Sequence, residues 1–140
     1  MDKARTLVYI LLIIGIADSL YLTVQHYASL PLICPKVAGF VDCENVVQSS
    51  FSVVFGIPLA VYGLIWMVVF LLLVHFNVKW IDIEIWGIFG LGGFLYSVVA
   101  MYLLGKICLY CTLMDIIIIM SVFVAVAFKH RVFHNKKTRV

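Results

Sequence analysis

The sequence predicts an all-α membrane protein: a four-transmembrane-helix bundle with an outer-face loop and a short amphipathic half-helix capping its mouth. Three observations lead there. Of 140 residues, 65% are hydrophobic and only 12% charged, about half the charge of an ordinary soluble domain. The apolar residues gather into four runs, 7–27, 57–76, 83–104 and 109–128, each close to the roughly 20 residues that cross a hydrocarbon core. The basic residues are also sorted. With four helices both ends fall on one side, which then holds Lys3, Arg5, Lys79, Lys129, Arg131, Lys136, Lys137 and Arg139 and leaves Lys36 and Lys106 to the other. The positive-inside rule makes the first side cytoplasmic.

The first run is longer than a signal-peptide core and precedes no small-residue cleavage site, so it reads as a retained helix. In lipid the backbone must satisfy its own hydrogen bonds, so each run is expected to be helical. The outer loop, 29–55, carries D-C-E-N-V-V-Q-S-S-F-S-V-V-F-G-I-P. Val46, Val47, Phe51, Val54 and Phe55 recur there at helical spacing, with Asp42 as the N-cap. This predicts a half-helix over the bundle mouth, ended by Gly56, with Pro58 in the first turn of the next helix. The glycines at 87, 90, 92 and 93 predict close packing in the third helix, or room for a flat ring. Trp80 and Trp86 read as interfacial belt residues, with Trp66 mid-span. Residues 129–140 form a basic cytoplasmic tail suited to anionic lipid rather than nucleic acid. Four spans use most of the chain, so 1–140 reads as a single domain.

All four cysteines, Cys34, Cys43, Cys108 and Cys111, fall on the outward side, where disulfides form and persist. The first pair sits in the long loop. The second, C-L-Y-C, opens the fourth helix, where the helix dipole and Lys106 favour a thiolate. A tetrahedral zinc site would take two short hooks, and one spacing here is eight residues, so no metal is expected. Inert staples are the other bland reading, but a ring within one helical turn braces little and suits redox exchange. Asp18 and Asp115 are carboxylates inside predicted spans, a costly placement. Each is a candidate proton donor or a partner for a neighbouring helix. His26 reads as an interfacial residue.

The chain resembles the vitamin K epoxide reductase family in its prokaryotic form. The carrying features are Y-L-T-V-Q-H-Y at the end of the first run, the C-x8-C pair, V-D-C-E-N-V-V-Q-S-S-F-S-V-V-F-G-I-P-L-A-V-Y-G-L, and C-L-Y-C-T. A C-x-x-C lying after the wider pair separates it from the DsbB family, where the order is reversed. The resemblance implies a membrane thiol–quinone oxidoreductase that supports disulfide-bond formation. Cys34 would exchange with a secreted or periplasmic thioredoxin-like protein, expected as a separate chain because no fused domain follows the fourth helix. Cys43 would shuttle electrons to Cys108, and Cys111 would face the quinone, of menaquinone, ubiquinone or vitamin K type. Ser49 matches the family's loop Ser/Thr. Ser52 stands where vertebrate relatives place an asparagine and Asp115 where they place a tyrosine, which favours plain quinone reduction over vitamin K epoxide reduction, the alternative. Ser49, Ser52, Phe55, Asp115 and Asp18 are therefore the expected quinone-binding set.

Overall fold

A computed structural model describes residues 3–35, 39–76 and 79–137. The chain runs α1 (Lys3–Ala28), α2 (Cys43–Gln48), a 3-10 turn (Ser50–Ser52), β1 (Val53–Val54), β2 (Ile57–Pro58), α3 (Leu59–His75), α4 (Trp80–Leu104) and α5 (Leu109–Lys137). Among the described residues three segments are long and apolar enough to cross a membrane: Lys3–Ala28, Ile81–Leu104 and Leu109–Phe128. α3 is equally apolar but shorter, at 17 residues. The bundle is inside-out relative to a soluble protein. Ile13, Ile88 and Phe123 are each more than half exposed, while Ser19, Ser97, Asp115 and Ser121 are buried. That is the arrangement lipid selects, because polar side chains are cheaper between helices than among acyl chains.

α1 packs chiefly against α3 and α5, and α4 against α5. One apolar core joins Val8, Leu12, Met67, Phe70, Ile117 and Ile118. Small residues set its spacing: a Cβ on Gly15 would stand 2.5 Å from Met67 Sδ, and one on Gly63 2.7 Å from Met114 Sδ. In α4, Gly87 and Gly90 perform this packing role, whereas Gly92 and Gly93 face open space. Trp86 is bonded to a neighbouring helix. Its Nε1–H donates to Trp66 O at 3.1 Å, and Trp66 Nε1–H donates to Trp86 O at 2.9 Å. The pair ties α3 to α4 and satisfies two indole donors that lipid could not. The side chain of Trp80 and those of 129–137 lie outside the described residues, although the backbone of α5 is helical to Lys137 and so includes most of the expected tail.

The half-helix is shorter than its periodicity predicts. Asp42 caps α2 by accepting from Asn45 N at 3.2 Å, but the helix ends at Gln48. Ser49 Oγ donates to Val46 O (2.7 Å), and Ser52 Oγ donates to Val47 O (2.5 Å) and Ser49 O (2.8 Å). Serine hydroxyls here take carbonyls that would otherwise carry the helix onward. β-branched Val53 and Val54 then turn into a hairpin, pairing with Pro58 and Ile57. Phe55 and Gly56 both have positive φ, 52° and 78°, as a two-residue type I′ turn requires. Pro58 is consequently the N-cap of α3 rather than part of its first turn.

Candidate active site

The loop cysteines reach the helix cysteines through two local devices. The first is α2, whose Val46 and Val47 are buried and seat Cys43 at 0% exposure beside Leu22 and Cys108, also at 0%. The second is a parallel bridge between Val41 and Ile107. In it Ile107 N donates to Phe40 O at 2.7 Å, and Asp42 N donates to Ile107 O at 3.1 Å. Cys34 and Cys111 pack against the same cluster, so all four cysteines share one pocket of side chains. Cys34 and Cys43 are joined (S–S 2.03 Å), while Cys108 and Cys111 are thiols.

Cys108 immediately precedes α5, and its Sγ accepts from Cys111 N at 3.2 Å. A sulfur here stands where an N-capping oxygen would, facing the unpaired amides of the first turn. The hydrogen bond from the Cys111 side chain is the largest influence on Cys108. With the amides of Cys111 and Tyr110 it outweighs burial and holds the Cys108 thiol below its ordinary value. Lys106 does not appear among those influences. Its Nζ instead donates to Gly39 O at 2.6 Å, on the loop. Tyr110, the second variable residue of the C-L-Y-C, donates to Ile33 O at 2.6 Å. Ile33 N in turn reaches Tyr21 Oη at 3.5 Å, and the two tyrosine rings lie 5.3 Å apart.

One cavity adjoins Cys111, and a second shares part of its wall. The first, of about 40 Å³, lies under the loop and is lined by Cys111, Ser49, Ser52, His26 and Met101, among others. A larger cleft of about 510 Å³ opens between α3 and α4, lined by Asp115, Phe55, Tyr62, Trp66, Phe89 and Tyr96. Leu59, Ser97 and Met114 belong to both walls. The expected quinone-binding set is therefore divided. Ser49 and Ser52 stand with Cys111, Phe55 and Asp115 stand in the cleft, and Asp18 lines neither.

The chemistry of these side chains differs from the expectation in two respects. The hydroxyl protons of Ser49 and Ser52 are already engaged by backbone carbonyls, so toward a ligand those oxygens can only accept. Phe55 sits at the hairpin tip at 96% exposure, its ring on the rim of the cleft rather than inside it. Asp115 is 4% exposed, and its Oδ2 has no hydrogen-bond partner among the described residues; the same holds for Asp18 Oδ2. Such an unpaired, buried oxygen is costly unless protonated or supplied with a partner.

Sequence reasoning passed over Ser97 and the contact of His26 with the loop. Ser97 is the one serine in the apolar run 83–104 and is 4% exposed. His26 reaches inward, its Nδ1 3.0 Å from Val47 O. A carbonyl only accepts, so the proton lies on Nδ1. Among the described residues no group of three or more His, Cys, Asp or Glu is placed to hold a metal.

Residues 6–126 match the profile of the Vitamin K epoxide reductase family. The chain belongs to that family. It is accordingly an integral membrane protein of an oxidoreductase family, with a cysteine pair in disulfide bonding. Searches of curated proteins and of solved structures gave no match. The vitamin K epoxide reductase family implies a quinone. A cleft of about 510 Å³ falls within the range of small-molecule sites. Its walls are aromatic and apolar, and among them Asp115 carries a buried carboxyl oxygen with no hydrogen-bond partner among the described residues. The residues fit.

Proposed function

We propose that this chain is a membrane thiol–quinone oxidoreductase that oxidises a thioredoxin-like protein outside the cytoplasm and delivers the electrons to a quinone, supporting disulfide-bond formation. In this reading residues 1–140 form one membrane domain, α1, α3, α4 and α5 all cross the bilayer, both termini are cytoplasmic, and the four cysteines face outward. The observation that carries it is the single cluster holding an oxidised pair, Cys34–Cys43, against a reduced pair, Cys108 and Cys111. Inert staples would leave no free C-x-x-C beside a cavity.

The relay uses thiolate attack at each step. A thiolate of the partner attacks Cys34, and Cys43 leaves; the partner's second thiol then releases Cys34. Cys43 attacks Cys108 of the Cys108–Cys111 disulfide, and Cys111 leaves as a thiolate. Cys34 next attacks Cys43, which restores the loop disulfide and frees Cys108. In sum the partner's dithiol becomes a disulfide and the C-x-x-C disulfide becomes a dithiol, the state of the four sulfurs described above. A quinone, when bound, accepts two electrons and two protons. Trp66, Phe89 and Tyr96 would hold its apolar body, Cys108 and Cys111 would supply the two electrons as they close to a disulfide, and Asp115 would donate one of the protons. The engaged hydroxyl of Ser52 supports plain quinone reduction over reduction of an epoxide, since no free donor stands at that position.

The test is quinone absorbance after anaerobic reduction of the purified protein, with wild type beside Cys111→Ala. Oxidation of the thiols by quinone in wild type alone supports the reading. Failure of the folded wild type with menaquinone and ubiquinone analogues refutes it.

A further inference from the structure

We infer that Lys106 is a positioning residue that keeps Cys43 over Cys108. The inference rests on the relay above, in which those two cysteines exchange. Residues 40–42 and Ile107 lie side by side through the Val41–Ile107 bridge and its two backbone hydrogen bonds. Each side of this one-rung ladder runs directly into a cysteine, Cys43 after Asp42 and Cys108 after Ile107. The register of the bridge therefore sets how the two sulfurs approach.

A single rung is weak, because each such bond adds little once water competes for it. Lys106 reinforces it. Its ammonium donates to Gly39 O at 2.6 Å, a charge-assisted bond at the head of the bridge. Gly39 has a φ of +72°, a left-handed conformation that favours glycine, at the turn that leads into the bridge. The opposite flank of the C-x-x-C is tied by a neutral group, Tyr110 Oη to Ile33 O, next to Cys34. The loop is thus held on both sides of the helix cysteines, more firmly on the side of Cys43.

The difference matters once the Cys34–Cys43 bond opens. Cys43 is then no longer tethered to Cys34 and keeps only the seat of α2 and the Lys106-reinforced bridge. From there its thiolate forms a bond to Cys108 as the Cys108–Cys111 bond breaks, with the electron pair leaving on Cys111. Lys106 touches no reacting sulfur and works through the local concentration of one thiol at the other.

The test isolates that quantity. A Cys34→Ala/Cys111→Ala protein keeps Cys43 and Cys108 alone. Equilibrating it in detergent with graded glutathione buffers, and measuring the fraction disulfide-bonded, gives the effective concentration of the pair. Adding Lys106→Met should lower it on the order of tenfold, the loss of one charged hydrogen bond, and Lys106→Arg should restore most of it. Lys106→Gln serves if Lys106→Met does not fold, and should fall between the two. An unchanged effective concentration in a folded variant overturns the inference, as does a loss that Lys106→Arg does not restore. No quinone or partner enters the readout, so a flat response here leaves the relay standing, and a wild type unable to reduce quinone leaves this result standing.

Discussion

The amide of Cys111 donates to Cys108 Sγ at 3.2 Å, which makes one cysteine of the C-x-x-C the cap for the other. The first prediction concerns pH. In the dithiol state the Cys111 side chain is the largest influence lowering the Cys108 pKa. Cys111→Ala should move the thiolate titration of Cys108, followed by ultraviolet absorbance, upward toward the ordinary thiol value. Linkage gives the sign for stability. A lowered folded-state pKa stabilises the reduced protein at high pH, and that contribution is lost as pH falls through the lowered value. Reduced wild type should therefore gain thermal stability with rising pH across that interval more than Cys111→Ala does. Equal slopes would contradict the assignment.

A second prediction concerns the route of exchange. With Cys111 absent, Cys108 can still attack Cys43 and displace Cys34. Cys111→Ala should accumulate a Cys43–Cys108 bond, visible by peptide mapping under non-reducing conditions. Accumulation of Cys34–Cys108 instead would reverse the roles of the loop cysteines.

Asp115 offers a third. Removal of a general acid costs on the order of 10²–10⁴ in rate, so Asp115→Asn should slow quinone reduction by at least roughly 100-fold while the Cys43–Cys108 bond still forms in an Asp115→Asn/Cys111→Ala protein. If both readouts fall together, Asp115 supports the fold rather than the proton.

The packing of α4 gives a fourth, and it is a contrast. A Cβ on Gly90 would meet the Trp66 indole at 2.6 Å, whereas one on Gly92 meets nothing within 4 Å. Gly90→Ala should destabilise by about 1–3 kcal/mol through overpacking. Gly92→Ala should be neutral, or stabilise by up to about 1 kcal/mol from helix propensity alone. Thermal unfolding in one detergent compares them directly.

Tyr110→Phe is the fifth. It leaves the Ile33 carbonyl without its 2.6 Å donor, and the segment before Cys34 should exchange its amide hydrogens faster, while that around Cys43 changes little. Uniform acceleration across both would show that the two flanks of the loop are not held separately.

The sequence carries much of this architecture because lipid imposes simple rules on composition. Long apolar runs must be helices, and the cysteines and carboxylates stand out against them. Cys34, Cys43, Cys108 and Cys111 were legible as two pairs for that reason, and the fold brings them into one cluster. The segment from Ser49 to Pro58 was not. Its valines and phenylalanines repeat at helical spacing, but the repeat is equally compatible with a 3-10 turn and a hairpin, and three serine-to-carbonyl hydrogen bonds decide between them. The contacts of Lys106 with Gly39 and of Tyr110 with Ile33 span 67 and 77 residues. No local pattern encodes such pairings. The reciprocal bonds of Trp86 with Trp66 depend on which face of α4 the indole occupies, which the composition of the run does not give.

α3 has one further consequence. At 17 residues it is about 25 Å long, against roughly 30 Å for an average hydrocarbon core. Its C-terminal end is gripped by Arg5, whose Nη2 donates to His75 O at 2.8 Å and Val74 O at 3.3 Å, and its other end runs straight into the β1–β2 hairpin. In the arrangement proposed above, a bilayer thicker than α3 would place its mismatch at the ends of this helix, one of which joins the hairpin that carries Phe55 on the rim of the cleft beside Asp115.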